Sequence, residues 1–334
     1  MILIDALYIN NSGGKILLDY LIQELEKTNK NIFYLLDKRV EDNIPPIKYR
    51  NKILFIEASL FKRKLFYKQN SHTFSKVLCF GNLPPNIRIK AEVYTYFHQQ
   101  LYLKVPDNLS FIQSFLFSLK RMVFNYFFQN TDYWLLQTDM IKCNFVKKFK
   151  ISKEKVLVIP FYPSFKITEQ FFRHKNTYLY VSNAPAHKNH VRLINAFCSF
   201  YNTHKLGKLI LTVSEEFPEL LEIIKNKKKL NYPIENLGFI SREKLTKIYQ
   251  ESEYLIYPSL AESFGLGLVE AIENGCKIIG SDLQYTYAVC EPSIIFNPLD
   301  EESISKALSL SLQKNIKNSV AKVSNKIDEL IAIL

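Results

Sequence analysis

Residues 253–282 read EYLIYPSLAESFGLGLVEAIENGCKIIGSD. The apolar run EYLIY closes on Pro258-Ser259, the loop AES follows, FGLGLVEAIENG keeps helical spacing up to Gly275, and KIIGS is apolar again. Strand, crossover helix and second strand make a βαβ unit, and strands apolar on both faces belong to a parallel sheet covered by helices. In such a sheet ligands collect at the carboxyl ends of the strands, where helix N-termini turn N–H groups outward. Here the loop holds Glu262 and the helix holds Glu270, while Gly265 and Gly267 let backbone amides approach a phosphate. Two carboxylates so placed suit a ligand with hydroxyls on either side of a phosphate, because a carboxylate accepts from two vicinal hydroxyls at once. The spacing alone fits as well an exposed loop glutamate beside one on the polar face of a helix.

The same alternation runs through the chain. Up to residue 160, ILIDALYI, NIFYLLD, KILFIEA, KVLCFG, EVYTYFH, YWLLQT and KVLVIP read as strands, with helical spacing at 15–28, 59–68, 110–129 and 139–149. Beyond it come YLYVS (178–182), a helix from 188, KLILTVS (208–214), a helix over 216–228, NLGFIS, a helix over 242–250, the unit quoted above, and SIIF. A chain of 334 residues exceeds one ordinary core. The pattern predicts an α/β fold of two Rossmann-like parallel-sheet domains, 1–165 and 166–314, with 315–334 as a packing helix. The join is expected at 160–176, where Pro160 and Pro163 break the periodicity.

Lys and Arg number 44 against 32 Asp and Glu, a net charge of +12. That balance asks for an anionic partner without choosing between nucleic acid, a phosphorylated ligand and an acidic bilayer. No nucleic-acid-binding motif accompanies it, so no nucleic-acid partner is expected. The five cysteines, at 79, 143, 198, 276 and 290, lack CxxC spacing and read as reduced thiols of a cytoplasmic protein. MILIDALYIN carries Asp5 and no basic leader, so it reads as a first strand, and no run reaches the roughly 18 apolar residues of a spanning helix. SLFKRKLFYKQ (59–69) and LSFIQSFLFSLKRMVFNYFFQ (109–129) interleave aromatics with Lys62, Arg63, Lys64, Lys120 and Arg121. Each is either a helix lying on an anionic membrane surface or a core helix with a solvated basic face.

The stretch from Tyr257 to Asp282 closely resembles the signature of retaining GT-B glycosyltransferases of family 4, of the bacterial surface-polysaccharide and O-antigen type. Pro258, Ser259, Glu262, Phe264, Gly265, Glu270, Ala271, Gly275, Ser281 and Asp282 match in order. YLYVSNAPAHKNHVRLINAF is similar to the opening of that family's donor domain, with Lys188 at the basic position and Arg192 one turn on. Gly13-Gly14 in NNSGGKILLDYLI stands where the family has a glycine-rich loop, and paired glycines also make ordinary turns. His98 ends EVYTYFH, as histidines near the reacting sugar do in the family, or as a histidine hydrogen-bonded in a loop does.

The resemblance implies a GT-B architecture, two Rossmann-like domains facing across a cleft, the first for acceptor and the second for donor. It implies transfer of a sugar, with retention, from a nucleotide-diphosphate sugar to a saccharide or lipid-linked oligosaccharide acceptor, as in lipopolysaccharide or capsule assembly, in the cytoplasm or on the inner face of the membrane. Glu262 would hold the sugar, Glu270 the ribose, and the backbone through Ser263, Phe264, Gly265 and Leu266 the diphosphate, with Gly13 and Gly14 facing it. Lys188 would take leaving-group charge, helped by Arg192, and His98 would steer the acceptor hydroxyl or ease charge at the sugar. No metal cofactor is expected: His187 and His190 have no third ligand beside them, and the chain has no Asp-x-Asp. Three departures stand out: Ser182-Asn183 replaces the Gly-Arg frequent in the family, Gln284 a proline, and Ala288 a glutamate whose contact is missing or moved to Glu291. A nucleotide-sugar epimerase of the same shape, or a non-catalytic protein binding nucleic acid or other anions, are the competing readings.

Overall fold

The computed structural model describes residues 1–99, 102–103, 111–165 and 171–334, with 111–114 as backbone. Gln100, the start of the expected 110–129 helix and residues 166–170 of the expected join lie outside these. The chain divides into two units, Met1–Pro163 with Ser324–Leu334, and Ser164–Val323.

Among the described residues of the first unit, seven strands form one parallel sheet: β1 (Ile2–Ala6), β2 (Ile32–Asp37), β3 (Lys52–Ile56), β4 (Lys76–Cys79), β5 (Glu92–Tyr96), β6 (Tyr133–Leu136) and β7 (Val156–Val158). Their order is β3-β2-β1-β4-β5-β6-β7, so the winding reverses between β1 and β4. Central β1 is buried along its whole length, whereas edge strand β3 is half exposed. Helices α1 (Ser12–Lys27), α2 (Leu60–Asn70), α3 (Phe111–Phe127) and α4 (Asp139–Phe149) lie between the strands in sequence. Thr138 caps α4, accepting from the Ile141 amide at 3.2 Å. Much of the aromatic content goes into a core of Phe97, Phe124, Phe128, Trp134 and Phe145.

A buried charge holds the first unit together. Arg63 on α2, 2% exposed, meets Asp5 of β1 at 2.8 Å and donates to the carbonyls of Pro84 and Leu83 at 2.7 and 2.9 Å. The Tyr67 hydroxyl donates to the same Asp5 oxygen at 2.6 Å. Arg63 is thereby removed from the basic surface expected of 59–69, and Lys62 is paired with Glu57.

The second unit has β8 (His174–Tyr180), β9 (Lys208–Leu211), β10 (Ile234–Asn236), β11 (Ser252–Tyr257) and β12 (Lys277–Ser281). With a later strand, β14 (Ile294–Phe296), they form a parallel sheet in the order β10-β9-β8-β11-β12-β14. The winding reverses between β8 and β11. The crossovers are α5 (His190–His204), α6 (Pro218–Lys229), α7 (Arg242–Glu251), α8 (Leu266–Glu273) and α9 (Gln284–Val289), and α10 (Glu301–Leu310) follows the last strand of this sheet. Gly275, at φ 78°, ends α8 in the left-handed turn that glycine tolerates, with the Cys276 amide reaching back to the Ala271 carbonyl at 2.8 Å.

Two expectations need correction. The strand read from NLGFIS ends at Asn236, because Gly238 at φ 68° turns the chain out of the sheet. The tail 315–334 is not one helix: Asn315 is left-handed, Val320–Ala321 is a strand, β15, antiparallel to β13 (Cys290–Glu291), and only α11 (Ile327–Ile333) is helical. Its β-branched and Asn/Ser-rich first half favours extended chain and turns. The last turn returns to the first unit, where the Lys326 amide bonds the Pro160 carbonyl and Asn325 bonds Tyr20 at 2.8 Å. Among the described residues no helix is long and apolar enough to cross a membrane.

Breaking the buried pair leaves an unmatched charge in the core. Asp5→Ala is expected to cost about 3–5 kcal/mol in urea unfolding, and Asp5→Leu combined with Arg63→Met less than either single change.

Candidate functional site

At the carboxyl ends of β8 and β11 two loops are tied to each other. The Leu260 amide donates to the His187 carbonyl at 2.8 Å, and Asn189 Nδ2 donates to the carbonyls of Pro258 and Pro298 at 3.2 and 2.7 Å. Asn189 takes φ 63°, a left-handed conformation that asparagine accepts more readily than most residues. It turns a 3-10 segment, Ala186–Lys188, into α5, so Lys188 precedes the helix and is not inside it. The Tyr180 hydroxyl holds this turn through the Lys188 carbonyl at 2.9 Å.

The result is an ion pair: Lys188 Nζ meets Glu262 Oε1 at 2.5 Å, with both side chains largely buried. Three tyrosines, Tyr180, Tyr257 and Tyr285, surround that carboxylate. Burial, and next the Glu262 charge, push the hydroxyls of Tyr180 and Tyr257 well above their usual range. Tyr285, raised mainly by burial, also feels Glu262 and donates to the Ser259 carbonyl at 2.7 Å. Arg192 lies in the first turn of α5 and donates to Asn189 Oδ1 at 2.6 Å.

Glu270 sits one turn into α8, 4% exposed. Its Oε1 accepts from Arg242 at 2.7 Å and its Oε2 from the Tyr249 hydroxyl at 3.2 Å. Burial raises its carboxyl above the ordinary range, and Arg242 opposes that shift. The Arg242 guanidinium also lies 4.0 Å from the centre of the Phe165 ring, which fixes its plane. Gly265, at φ 77°, makes the turn into α8, which starts without a side-chain cap. Gly267 has a different reason from the one its spacing suggested: a Cβ there would lie 3.3 Å from the Tyr257 ring and 3.5 Å from the Tyr249 hydroxyl, so it serves helix-to-strand packing. Ser263 and Phe264 lie in the turn before α8 and Leu266 is its first residue, so the helix starts two residues later than the spacing of FGLGLVEAIENG suggests.

In the first unit the reversal point gathers a second cluster. Asn82 (φ 65°) accepts from the His98 amide through Oδ1 at 2.7 Å and meets His98 Nε2 through Nδ2 at 3.1 Å. With the amide oxygen engaged by the backbone, Nδ2 must donate to the ring, so Nε2 accepts and the proton sits on Nδ1. Nδ1 is buried and has no partner among the described residues. Burial against Phe80 and Tyr96 lowers the imidazole pKa to about 4, so the ring is neutral. A Cβ on Gly14 would lie 3.6 Å from His98 Nε2, while Gly13 faces open space. Gly81 is required: a Cβ there would come within 2.5 Å of the Leu7 carbonyl oxygen.

The departures from the family pattern also have positions. The Ser182 amide bonds Thr212 at 3.1 Å, and its hydroxyl turns to the Asn183 carbonyl. Glu291 pairs with Lys317 at 2.8 Å on the short ribbon, so its carboxylate does not replace the glutamate absent at 288. His190, expected to be a poor ligand, is buried beneath Tyr180 with ring centres 4.6 Å apart. Among the described residues no three His, Cys, Asp or Glu side chains come together as a metal group. Tyr180, Tyr257, Tyr285, Tyr249, Arg242 and Asn82 are residues that sequence reasoning did not assign. Tyr257 lies inside the quoted stretch and Tyr285 three residues past it, but Arg242 lies 28 residues before Glu270 in an ordinary helix start and carried no signal.

Residues 164–327 match the family described as Glycosyl transferases group 1. The chain is 26% identical over 208 residues to the O-antigen chain mannosyltransferase RfbU of Salmonella typhimurium, a match over 61% of this chain and 56% of that one. It thus spans about half the length of that curated relative. Among solved structures, sucrose-phosphate synthase from Thermosynechococcus elongatus superimposes with a TM-score of 0.74 at 16% identity, over 93% of this chain and 89% of that one. Anabaena HepE, solved in complex with UDP and glucose, gives 0.66 at 13% identity, over 94% and 89%. The chain has the GT-B fold, and its residues 164–327 are similar to the family described as Glycosyl transferases group 1.

Proposed function

We propose that the protein is a glycosyltransferase that moves a sugar from a nucleotide-diphosphate donor to a saccharide acceptor of the lipopolysaccharide or O-antigen type. The observation that carries this reading is the Lys188–Glu262 pair inside its ring of tyrosines at the reversal point of the second sheet. The name of the Salmonella relative and the UDP and glucose in the Anabaena structure support it.

In this reading the donor exchanges partners with the pair. Lys188 leaves Glu262 for the diphosphate, and Glu262 turns its acceptor lone pairs to the sugar hydroxyls. Arg192 and the amides entering α8 add to the positive field. Glu270, oriented by Arg242 and Tyr249, keeps unused lone pairs for the ribose hydroxyls. Transfer is retaining, and leaving-group charge falls on these protein groups without a metal. The bond from the sugar carbon to the diphosphate breaks with its electron pair passing to the phosphate oxygen. The acceptor hydroxyl attacks the same face, and its proton goes to that oxygen. His98 enters as a neutral donor through Nδ1–H, holding a substrate oxygen rather than removing a proton. The acceptor is carried on lipid at the inner face of the membrane.

Incubation with UDP- and GDP-sugars and a truncated glycolipid acceptor, scored for product and released nucleotide, tests this. Lys188→Ala is expected to lower kcat about 10²–10³-fold, the worth of one electrostatic contact to developing charge. Glu262→Gln is expected to act similarly, and Glu270→Gln mainly to raise the donor KM about ten-fold. Free sugar released with nucleotide, without acceptor dependence, would instead favour epimerase chemistry.

The neutral His98 gives a pH test. Its folded-state pKa, about 4, lies below the ordinary 6.5, so the unfolded chain takes the proton first. The stabilisation is complete above pH 6.5 and is lost as the pH falls towards 4. The thermal midpoint of the parent should drop across that window, and that of His98→Gln should drop less. Transfer should show no dependence on an ionisation near 6.5 assignable to His98.

A further inference from the structure

Glu270 and its two protein partners sit on two helices, and one side chain ties the far ends of those helices together. Arg173, partly buried just ahead of β8, donates through Nη1 to the carbonyl of Ser252 and, at 3.4 Å, to that of Tyr249, where α7 gives way to β11. Through Nη2 it donates to the carbonyl of Asn274, the residue that follows α8, at 2.6 Å. We propose that Arg173 is a positioning residue for the donor site: by joining the C-terminal ends of α7 and α8 it keeps Glu270 aligned with Arg242 and Tyr249 for the ribose hydroxyls. The proposal rests on the reading above, in which Glu270 takes the ribose.

Both groups that orient the Glu270 carboxylate come from α7, Arg242 as its first residue and Tyr249 in its last turn, while Glu270 itself is on α8. The spacing of the two helices therefore decides whether the three side chains meet. Tyr249 links Arg173 to the site directly, since its hydroxyl faces Glu270 and its carbonyl accepts from Arg173. Asn274 does so on the other side, with Nδ2 donating to the Glu270 carbonyl at 2.8 Å. Every hydrogen bond that Arg173 makes among the described residues goes to a carbonyl or to the Cys276 sulfur, and none to a carboxylate. Its charge is met by the C-terminal ends of two helices, where the peptide dipoles favour a cation, and a planar fork spans two acceptors as an ammonium group cannot. Cys276 does not compete for that charge: burial pushes its thiol up to about 11, and it donates to the Tyr249 carbonyl at 2.9 Å. Gly275 is fitted to the same guanidinium. A Cβ there would come within 2.9 Å of Arg173 Nη2, so the glycine that stops α8 also leaves room for the arginine.

The test is calorimetric titration of the full chain with UDP and with GDP, each beside its 2′,3′-dideoxy form. The ratio of the two dissociation constants reads the ribose contact alone. The parent is expected to prefer the hydroxyl-bearing nucleotide about ten-fold, and Glu270→Gln, as the reference, to approach parity. Arg173→Ala, measured where it is fully folded, should fall to a preference of about two-fold or less, and its donor KM should rise about ten-fold with kcat within about two-fold of the parent. A purely structural role would lower the thermal midpoint and leave the ratio unchanged. Arg173→Lys keeps a cation at the helix ends without the fork, and stands in should the alanine variant not fold; its preference should lie between the two, about three-fold. A discriminating parent whose folded Arg173 variant discriminates equally overturns the proposal and leaves the donor-site reading intact. A parent that binds neither nucleotide, or binds both forms alike, sinks that reading and the proposal with it.

Discussion

The reversal of winding within each parallel sheet is the constraint from which the rest follows. Crossovers that leave in opposite directions from adjacent strands part the loops at their carboxyl ends. In the first sheet this occurs between β1 and β4, and in the second between β8 and β11. Each opening holds its own polar cluster, Asn82 with His98 in one and Lys188 with Glu262 in the other. The clusters differ in kind. The first is neutral by burial and offers a donor; the second keeps a charged pair whose partners are complementary to anion and hydroxyl.

Both clusters depend on contacts made below them. Arg63, fixed by Asp5, grips the Leu83 and Pro84 carbonyls immediately after Asn82. The position of Asn82, and through it the tautomer of His98, is therefore set by a buried ion pair on β1 and α2. In the second unit the equivalent support comes from Asn189, which joins the turn after Lys188 to the strand end before Glu262. These supports are polar groups sealed from water, where a missing partner costs more than the bond itself contributes.

Alternation of apolar runs made the α/β class and the parallel sheets legible, because a strand buried on both faces has a composition unlike any other element. The turn at Gly265 and the stop at Gly275 were legible for a similar reason: left-handed backbone asks for glycine. Gly267 was misread, since the same lack of a side chain also answers close packing against Tyr257 and Tyr249. Long-range partners left no trace in the sequence. Arg242 and Glu270 belong to different βα units, and Asn82 and His98 to the loops after β4 and β5, so only the register of the sheets brings them together. The tail misled because VAKVSNKIDELIAIL has apolar spacing compatible with a helix, while pairing of Val320–Ala321 with Cys290–Glu291 claims its first half.

The enclosure of Glu262 has a consequence for what can occupy the second site. A carboxylate largely removed from water and facing three raised tyrosine hydroxyls needs a compensating partner, and Lys188 is that partner. An anion that drew Lys188 away without bringing hydroxyl donors of its own would leave Glu262 under-compensated, and its binding would be weakened by that amount. A polyol without an anion would find the carboxylate already engaged. Only a ligand joining the two, a phosphate with hydroxyls a few bonds away, satisfies both members of the pair at once. In the proposed reading, selection against lone phosphate and lone sugar follows from the coupling of one lysine to one glutamate.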